Sequence, residues 1–283
     1  MRLDTSKTFI LGLGAQKAAT SWVHRYIKHY PEADLGAIKE YHVWDVLRVP
    51  DLAYFSPLSV TARAKALVRW GMGQNMTAIR LRRRFCQDPE SYFEYFSALL
   101  NRADIRLTGD ITPSYSALPV ATLREIKEGF SRRGIPVKVI FMMRDPVERC
   151  HSALSMYRRE RISREGVALS KSEDEAIRQY AVSTDAQLRT RYDRTLEAIE
   201  QAFNPEHVFI GFYETIFAVD EVKRLSAFLD LEPDLEFVNQ KVNVSPRAQA
   251  LTPETKTFLR QEFAPVYETC ARRFPITEEI WQH

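Results

Sequence analysis

Three times along this chain of 283 residues a short apolar run is followed by a segment of helical periodicity, and that alternation is the strongest constraint on its fold. The first run, Lys7 to Ala15, ends in glycines, and Trp22, Val23, Tyr26 and Ile27 in the segment after it share one helix face. The second, Val137 to Met143, is the kind of continuous strand that is buried on both faces. Behind it Asp145 is a good N-cap, and Pro146 sits at the favoured first helical position. The third, His207 to Tyr213, precedes a helical pattern from Asp220 to Leu229 in which Val222, Leu225 and Leu229 align. Apolar strands alternating with helices are βαβ units, so the expected class is α/β, a parallel sheet flanked by helices.

Two other segments fill in this frame. Asp88-Pro-Glu starts a helix through Tyr92, Phe93, Phe96, Leu99 and Leu100, and Arg106 to Asp110 reads as a short strand entering the turn Thr112-Pro-Ser-Tyr115. From Arg48 to Arg84 no strand is indicated, and eight basic residues (Arg48, Arg63, Lys65, Arg69, Arg80, Arg82, Arg83, Arg84) stand against one acid, Asp51. A solvated helical surface and a lid or acceptor wall are both open for this stretch. Trp44, Tyr54, Phe55 and Trp70 are equally suited to stacking on a sugar and to filling the core. With no repeat and no Gly/Ser-rich linker, the simplest organisation is one domain over 1–283 with a helical insertion or lid at about 45–87.

Composition narrows the function. Forty Lys and Arg against 37 Asp and Glu leave a net charge of +3, too even for a nucleic-acid coat, so no nucleic-acid partner is expected. A hydrophobic content of 45% with 11% aromatic residues suffices for a full core and excludes disorder. No stretch of about 18 apolar residues occurs, and the first run is too short for a signal peptide, so no membrane span and a cytoplasmic location are expected. Cys86, Cys150 and Cys270 are odd in number and far apart, which suits buried thiols rather than disulfides or metal ligands; no metal is expected.

The loop after the first run reads Gly14-Ala15-Gln16-Lys17-Ala18-Ala19-Thr20-Ser21-Trp22. A strand-to-helix loop aims backbone N–H groups and the positive end of a helix dipole at one spot, where a phosphate or sulfate settles. Lys17 adds a charge, and Thr20 and Ser21 add hydroxyls. The nucleotide triphosphatase pattern GxxxxGK[ST] is absent, because Ala15 and Gln16 precede the lysine and the hydroxyls come three residues after it. That disfavours a magnesium-dependent ATPase or kinase. The bland alternative is a set of glycines that merely close a turn beside a solvated Lys17.

The pattern GxxKxxTSW resembles the 5'-phosphosulfate loop of sulfotransferases that use 3'-phosphoadenosine 5'-phosphosulfate (PAPS), with Ala18 and Ala19 where that family more usually has glycine. The resemblance implies a P-loop NTPase-like fold and PAPS as cofactor, held by residues Gly14 to Trp22. Arg144, at the end of the second strand, and Ser152, eight residues on, resemble that family's 3'-phosphate motif. A guanidinium fixed at a strand end suits a terminal phosphate, although Arg144 could instead pair with Asp145 or Glu148 in a surface network. Lys39-Glu40-Tyr41-His42 is similar to the Lys-Glu-x-His segment of the heparan sulfate O-sulfotransferases. The resemblance implies that Glu40 is the general base for an acceptor hydroxyl. A glutamate at its ordinary pKa is a weak base for an alcohol, so burial must raise it or it must take the proton only as the sulfur–oxygen bond forms; Lys39 opposes a rise. His42 has three roles open to it: orienting Glu40, sharing the base role, or capping a helix.

Asp110-Ile-Thr-Pro-Ser-Tyr115 resembles the family's turn beside the acceptor cleft, which implies acceptor contacts from Thr112, Pro113 and Tyr115, with Lys39 nearby. Ile111 stands where the heparan enzymes carry a substrate-contacting lysine, so heparan specificity is not implied. Lys241 to Arg247 is similar to a loop that closes over the cofactor, which implies Ser245 or Arg247 at the 3'-phosphate; Tyr213-Glu214 also recurs in the family, in a structural role. The expected function is therefore sulfuryl transfer from PAPS to an acceptor hydroxyl, of a saccharide or a small alcohol, in line and with Lys17, Glu40 and His42 as catalytic residues. Two alternatives remain at this stage: a P-loop-like nucleotide kinase, and a non-catalytic nucleotide- or polyanion-binding module built on the basic stretch.

Overall fold

A computed structural model describes residues 7–58, 76–160, 172–239 and 250–282. Ser245 and Arg247, the basic residues Arg63, Lys65 and Arg69, and Trp70 lie outside the described residues. Strands β1 (Thr8–Gly14), β2 (Leu107–Ile111), β3 (Val137–Met143) and β4 (Val208–Phe212) form a parallel sheet in the order β2-β1-β3-β4. β1 pairs with β2 from Thr8 opposite Leu107 to Gly12 opposite Ile111.

The flanking helices begin with α1 (Thr20–His29), α2 (Trp44–Arg48), α3 (Thr77–Gln87), α4 (Glu90–Leu100) and α5 (Val120–Ser131). After β3 come α6 (Pro146–Arg159), α7 (Glu173–Ala181), α8 (Thr184–Thr190) and α9 (Tyr192–Ala202). After β4 come α10 (Val219–Phe228), α11 (Pro253–Glu262), α12 (Ala264–Arg273) and α13 (Thr277–Ile280).

The alternation expected from the periodicity is thus the architecture found, and β3 occupies the seven residues of the apolar run. All of β3 is buried except the half-buried Lys138, as befits a strand covered on both faces. Asp145 caps α6 by accepting from Glu148 N at 2.9 Å, a bond of about 1 kcal/mol in such positions. At α4 the start shifts by a residue: Pro89 is the N-cap, and Asp88 accepts from Glu90 N at 3.2 Å from one position further back. The described parts of the insertion are helical, comprising α2, a 3₁₀ turn over Pro50–Phe55, and α3.

The chain divides into two compact units, one of Met1–Leu13, Val23–Ile140 and Ala198–Phe209, the other of Gly14–Trp22, Phe141–Glu197 and Ile210–His283. In the first, Phe9 stacks on Phe130 with centroids 3.9 Å apart and meets Phe96 edge-on at 5.0 Å, while Trp44 packs on Tyr92 at 5.4 Å. Each such side chain contributes roughly 1.5–3 kcal/mol on burial. In the second, Tyr157 meets Tyr180 at 5.7 Å, Phe141 meets Tyr192 at 5.8 Å, and Phe212 lies 5.6 Å from Phe274 and 5.9 Å from Trp281. The three cysteines are buried and free; burial pushes Cys86 up to about 11 and Cys270 up to about 12. Among the described residues no helix is long and apolar enough to cross a membrane.

Candidate active site

In a parallel sheet the carboxyl ends of the strands share one edge, and in a strand order that reverses at β1 the loops after β1 and β3 stand at the topological switch point, where ligands of such sheets bind. Gly14 ends β1 with φ 110°, a conformation that favours glycine. The loop is tied down by Ala15 N donating to Met142 O at 2.5 Å, and α1 begins with Trp22 N donating to Ala19 O at 2.9 Å. Lys17 and Ala19 take left-handed φ of 68° and 64°. Such left-handed residues in a turn gather backbone N–H groups into an anion-binding concavity. No acidic residue occupies the first turn of α1, where Thr20 is buried and Ser21 half-buried.

Lys17 is partly buried, and its ammonium has Met156 Sδ at 3.9 Å and no ion-paired carboxylate among the described residues. Burial, followed by the charges of Arg159 and Arg144, holds its pKa below the ordinary lysine value. Arg144 follows β3 directly. Its Nη1 donates to Lys17 O at 3.4 Å, its Nη2 lies 3.4 Å from Glu148, and its guanidinium sits 4.2 Å over the Tyr213 ring. Arg144 Nε is buried with no hydrogen-bond partner among the described residues. The pairing with Glu148 exists, but in a side chain only 15% exposed rather than in a surface network. Ser152 lies one turn beyond Glu148 on the same face of α6, and Lys17, Arg144 and Ser152 all belong to the second unit. Tyr213 and Glu214 earn a supporting role here: Tyr213 N donates to Met143 O at 2.7 Å, and Glu214 accepts from Asp145 N at 3.0 Å.

Lys39, Glu40, His42, Thr112, Pro113 and Tyr115 all belong to the first unit. Glu40 binds Lys39 Nζ at 2.5 Å, and its other oxygen lies 3.5 Å from His42 Nε2. Arg82 of α3 donates to the Glu40 carbonyl. Burial opposes the charge on Glu40, yet the bonds from His42 and Lys39 outweigh it and hold the carboxyl down at about 2. A carboxyl held down in this way is ionised at neutral pH rather than raised by its burial. His42 does not cap α2, whose N-cap is Val43 with no side-chain cap bond. Its Nδ1 meets Asp45 Oδ2 at 2.6 Å, and although burial works against the charge, Asp45 and Glu40 raise its pKa above the ordinary histidine value. The ring stacks on Phe55, centroids 4.0 Å apart, while Trp44 is wholly buried in the core.

Asp45 and Ser114 carry no motif signal and were reached only through the fold. Asp45 is fully buried, and Ser114 Oγ donates to it at 2.5 Å across 69 residues of sequence. Thr112 and Tyr115 are buried too, and their hydroxyls are engaged inside the unit: Thr112 Oγ1 accepts from Tyr41 N at 2.9 Å, and Tyr115 OH accepts from Val43 N at 3.1 Å. Of the basic stretch, Arg48 pairs with Glu125 at 2.8 Å and Arg84 with Glu94 at 3.1 Å, exposed contacts worth about 0–1 kcal/mol each. Among the described residues no group of three His, Cys, Asp or Glu is placed to hold a metal ion.

No family model and no curated protein matches the chain. Among solved structures it is similar to a sulfotransferase from Alicyclobacillus acidocaldarius, with a TM-score of 0.61 and 21% identity, over 94% of this chain and 95% of that one. It is similar also to the sulfotransferase domain from the curacin biosynthetic pathway, with a TM-score of 0.50 and 13% identity, over 90% of this chain and 96% of that one. With its parallel sheet, the loop at the end of β1 and the arginine at the end of β3, the chain has the sulfotransferase fold.

Proposed function

We propose that this protein is a PAPS-dependent sulfotransferase acting on a hydroxyl acceptor. The observation that carries the reading is the positive cluster beside the carboxyl ends of β1 and β3: a Lys17 ammonium with no ion-paired carboxylate among the described residues, pressed by Arg144 and Arg159 and only partly offset by Glu148 and Glu160. An anion with several concentrated charges relieves that repulsion. The donor set fits such a nucleotide, since it offers the loop amides, the Thr20 and Ser21 hydroxyls, Lys17, and an Arg144 Nε still without a partner.

PAPS, when bound, supplies the sulfuryl group and a nucleotide leaving group. Thr20, Ser21 and the amides from Gly14 to Trp22 hold the 5'-phosphate; Arg144 and Ser152, with Ser245 or Arg247, hold the 3'-phosphate. Lys17 neutralises charge developing on the bridging oxygen. Glu40 accepts the acceptor's proton. Because Glu40 is held ionised, it takes that proton only as the new sulfur–oxygen bond acidifies the hydroxyl, and His42, fixed by Asp45, keeps its carboxylate aligned. In-line transfer of this kind asks the protein for positioning and charge stabilisation rather than covalent steps. Lys39 and the turn Thr112–Tyr115 border the acceptor, a saccharide or small alcohol. The reading includes a cytoplasmic, metal-independent enzyme of one domain, with 45–87 as its insertion.

Isothermal titration with the desulfated nucleotide PAP, alongside transfer of label from [35S]PAPS to a panel of saccharides and alcohols, tests the proposal. PAP binding with transfer to a hydroxyl supports it. Binding of ATP with magnesium in preference to PAP would point to the kinase alternative, and heparin binding without any PAP binding to the polyanion module.

A further inference from the structure

We infer that Asp110 is the positioning residue that sets the geometry of the Glu40–His42 segment, acting through the hydroxyls of Thr112 and Tyr115. The inference rests on the reading above that Glu40 and His42 serve the acceptor. Asp110 is fully buried near the end of β2, with no cation paired to it among the described residues. Three hydroxyls satisfy it instead: Thr112 Oγ1 donates to Oδ1 at 2.6 Å, and Tyr115 OH and Tyr92 OH donate to Oδ2 at 2.8 and 3.2 Å.

The direction of these bonds matters more than their number. An ionised carboxylate only accepts, so Thr112 and Tyr115 must both point their hydrogens at Asp110. Their lone pairs are then the sole groups left to offer, and each is taken by a backbone amide of the segment in question: Tyr41 N–H on Thr112 and Val43 N–H on Tyr115. Those two amides flank His42, which sits at φ 51°, a conformation a histidine keeps only when its neighbours enforce it. Glu40 directly precedes the first of them. One carboxylate thus orients two hydroxyls, two hydroxyls clamp two amides, and the clamped amides fix the backbone from which Glu40 and His42 project.

The charged and titratable groups that face Asp110 are Tyr92 of α4, Tyr115 of the turn, and Asp45 and Tyr41 of the segment itself. Burial pushes Asp110 up to about 6, the bonds from Thr112, Tyr115 and Tyr92 oppose the rise, and the charge of Asp45 adds to it. Above that pH the acceptor-only form holds the clamp. Below it one oxygen carries a proton and a hydroxyl must turn away.

The test compares Asp110→Asn and Tyr115→Phe with wild type in the full chain, reading His42 by its ring ¹⁵N shifts through a pH titration. Asparagine replaces one acceptor oxygen with a donor, and phenylalanine deletes the hydroxyl that holds Val43 N. In both variants the His42 midpoint should fall toward the ordinary histidine value as its contacts with Asp45 and Glu40 loosen. PAP affinity should stay within about twofold, and kcat should drop on the order of 10²-fold at unchanged KM for PAPS, with [35S]PAPS and the best acceptor of the panel. A wild-type His42 titration in both folded variants would overturn the inference. Should Asp110→Asn fail to fold, Tyr115→Phe decides it alone. Failure of the wild-type chain to bind PAP would sink the sulfotransferase reading instead, while the His42 titration would still decide the role of Asp110.

Discussion

Replacing Lys17 with methionine keeps the aliphatic stem and removes the charge, and the structure assigns opposite consequences to stability and to catalysis. Among the described residues the ammonium loses no ion pair, its polar neighbour being Met156 Sδ at 3.9 Å, and it gives up only the weaker attraction of Glu160. It does lose repulsion from Arg159 and Arg144, which together with burial depress its pKa below 10.5. Since the unfolded chain then holds this proton more tightly than the folded one, wild-type stability rises with pH between the folded value and 10.5, and Lys17→Met lacks that rise. At neutral pH the variant should be as stable as wild type or more so, in urea unfolding. Turnover moves the other way. Removing one preorganised charge from the developing oxyanion costs on the order of 10² to 10³ in kcat, about 2.7–4 kcal/mol of barrier. PAP binding should weaken by no more than about tenfold, because the loop amides, Thr20 and Ser21 remain. The assay is single-turnover [35S]PAPS transfer with titration calorimetry on PAP. A variant with kcat within about tenfold of wild type, or one destabilised by more than about 1 kcal/mol, would refute the reasoning.

Three further outcomes follow from the same geometry. Glu40→Gln should eliminate transfer while leaving PAP affinity unchanged, since Glu40 is not among the residues proposed to hold the phosphates; residual transfer above about 1% would reassign the base. Asp110 titrates near 6 in the fold against 3.8 ordinarily, so its contribution is fully present below pH 3.8 and is lost as pH rises through about 6. That loss amounts to about 3 kcal/mol, and Asp110→Asn should flatten the corresponding slope of unfolding free energy against pH; an unchanged slope counts against it. Gly36 has φ 76°, and a Cβ there would stand only 2.2 Å from Tyr41 OH and 2.6 Å from Tyr95 OH. Gly36→Ala should therefore cost about 2–4 kcal/mol in chemical denaturation and disturb the segment entering Glu40; a neutral substitution would show that this turn yields easily.

The β1–α1 loop and the β3–α6 junction were legible because their signals are local. The loop residues from Gly14 to Trp22 are contiguous, and Arg144, the Asp145 cap and Ser152 span nine positions of one strand–helix junction. The Glu40–His42 segment was legible only in part. Glu40 and His42 stand in a short motif, but the residues that define their states are distant: Ser114 reaches Asp45 across 69 positions, and Thr112 reaches Tyr41 across 71. The resemblance makes the turn Thr112–Tyr115 an acceptor border; that its Thr112 and Tyr115 hydroxyls are directed into the unit, toward Asp110, carries no sequence signal. Tyr213 lies 69 positions after Arg144 and carries no sign of the ring beneath the guanidinium.

By itself the sequence determined the order of strands and helices, the burial of the strands and the position of the glycine-ended loop between β1 and α1, because periodicity, glycine and capping residues act within a few positions of themselves. A net charge of +3 could not disclose that Lys17, Arg144 and Arg159 crowd together, nor could a Lys-Glu-x-His pattern disclose that Glu40 is held ionised near 2 while Asp110 is pushed up to about 6. Those protonation states were decided by the tertiary structure alone, since a pKa is set by the balance of burial against hydrogen bonds and charges, and in this chain the partners that settle the balance arrive from remote strands and helices.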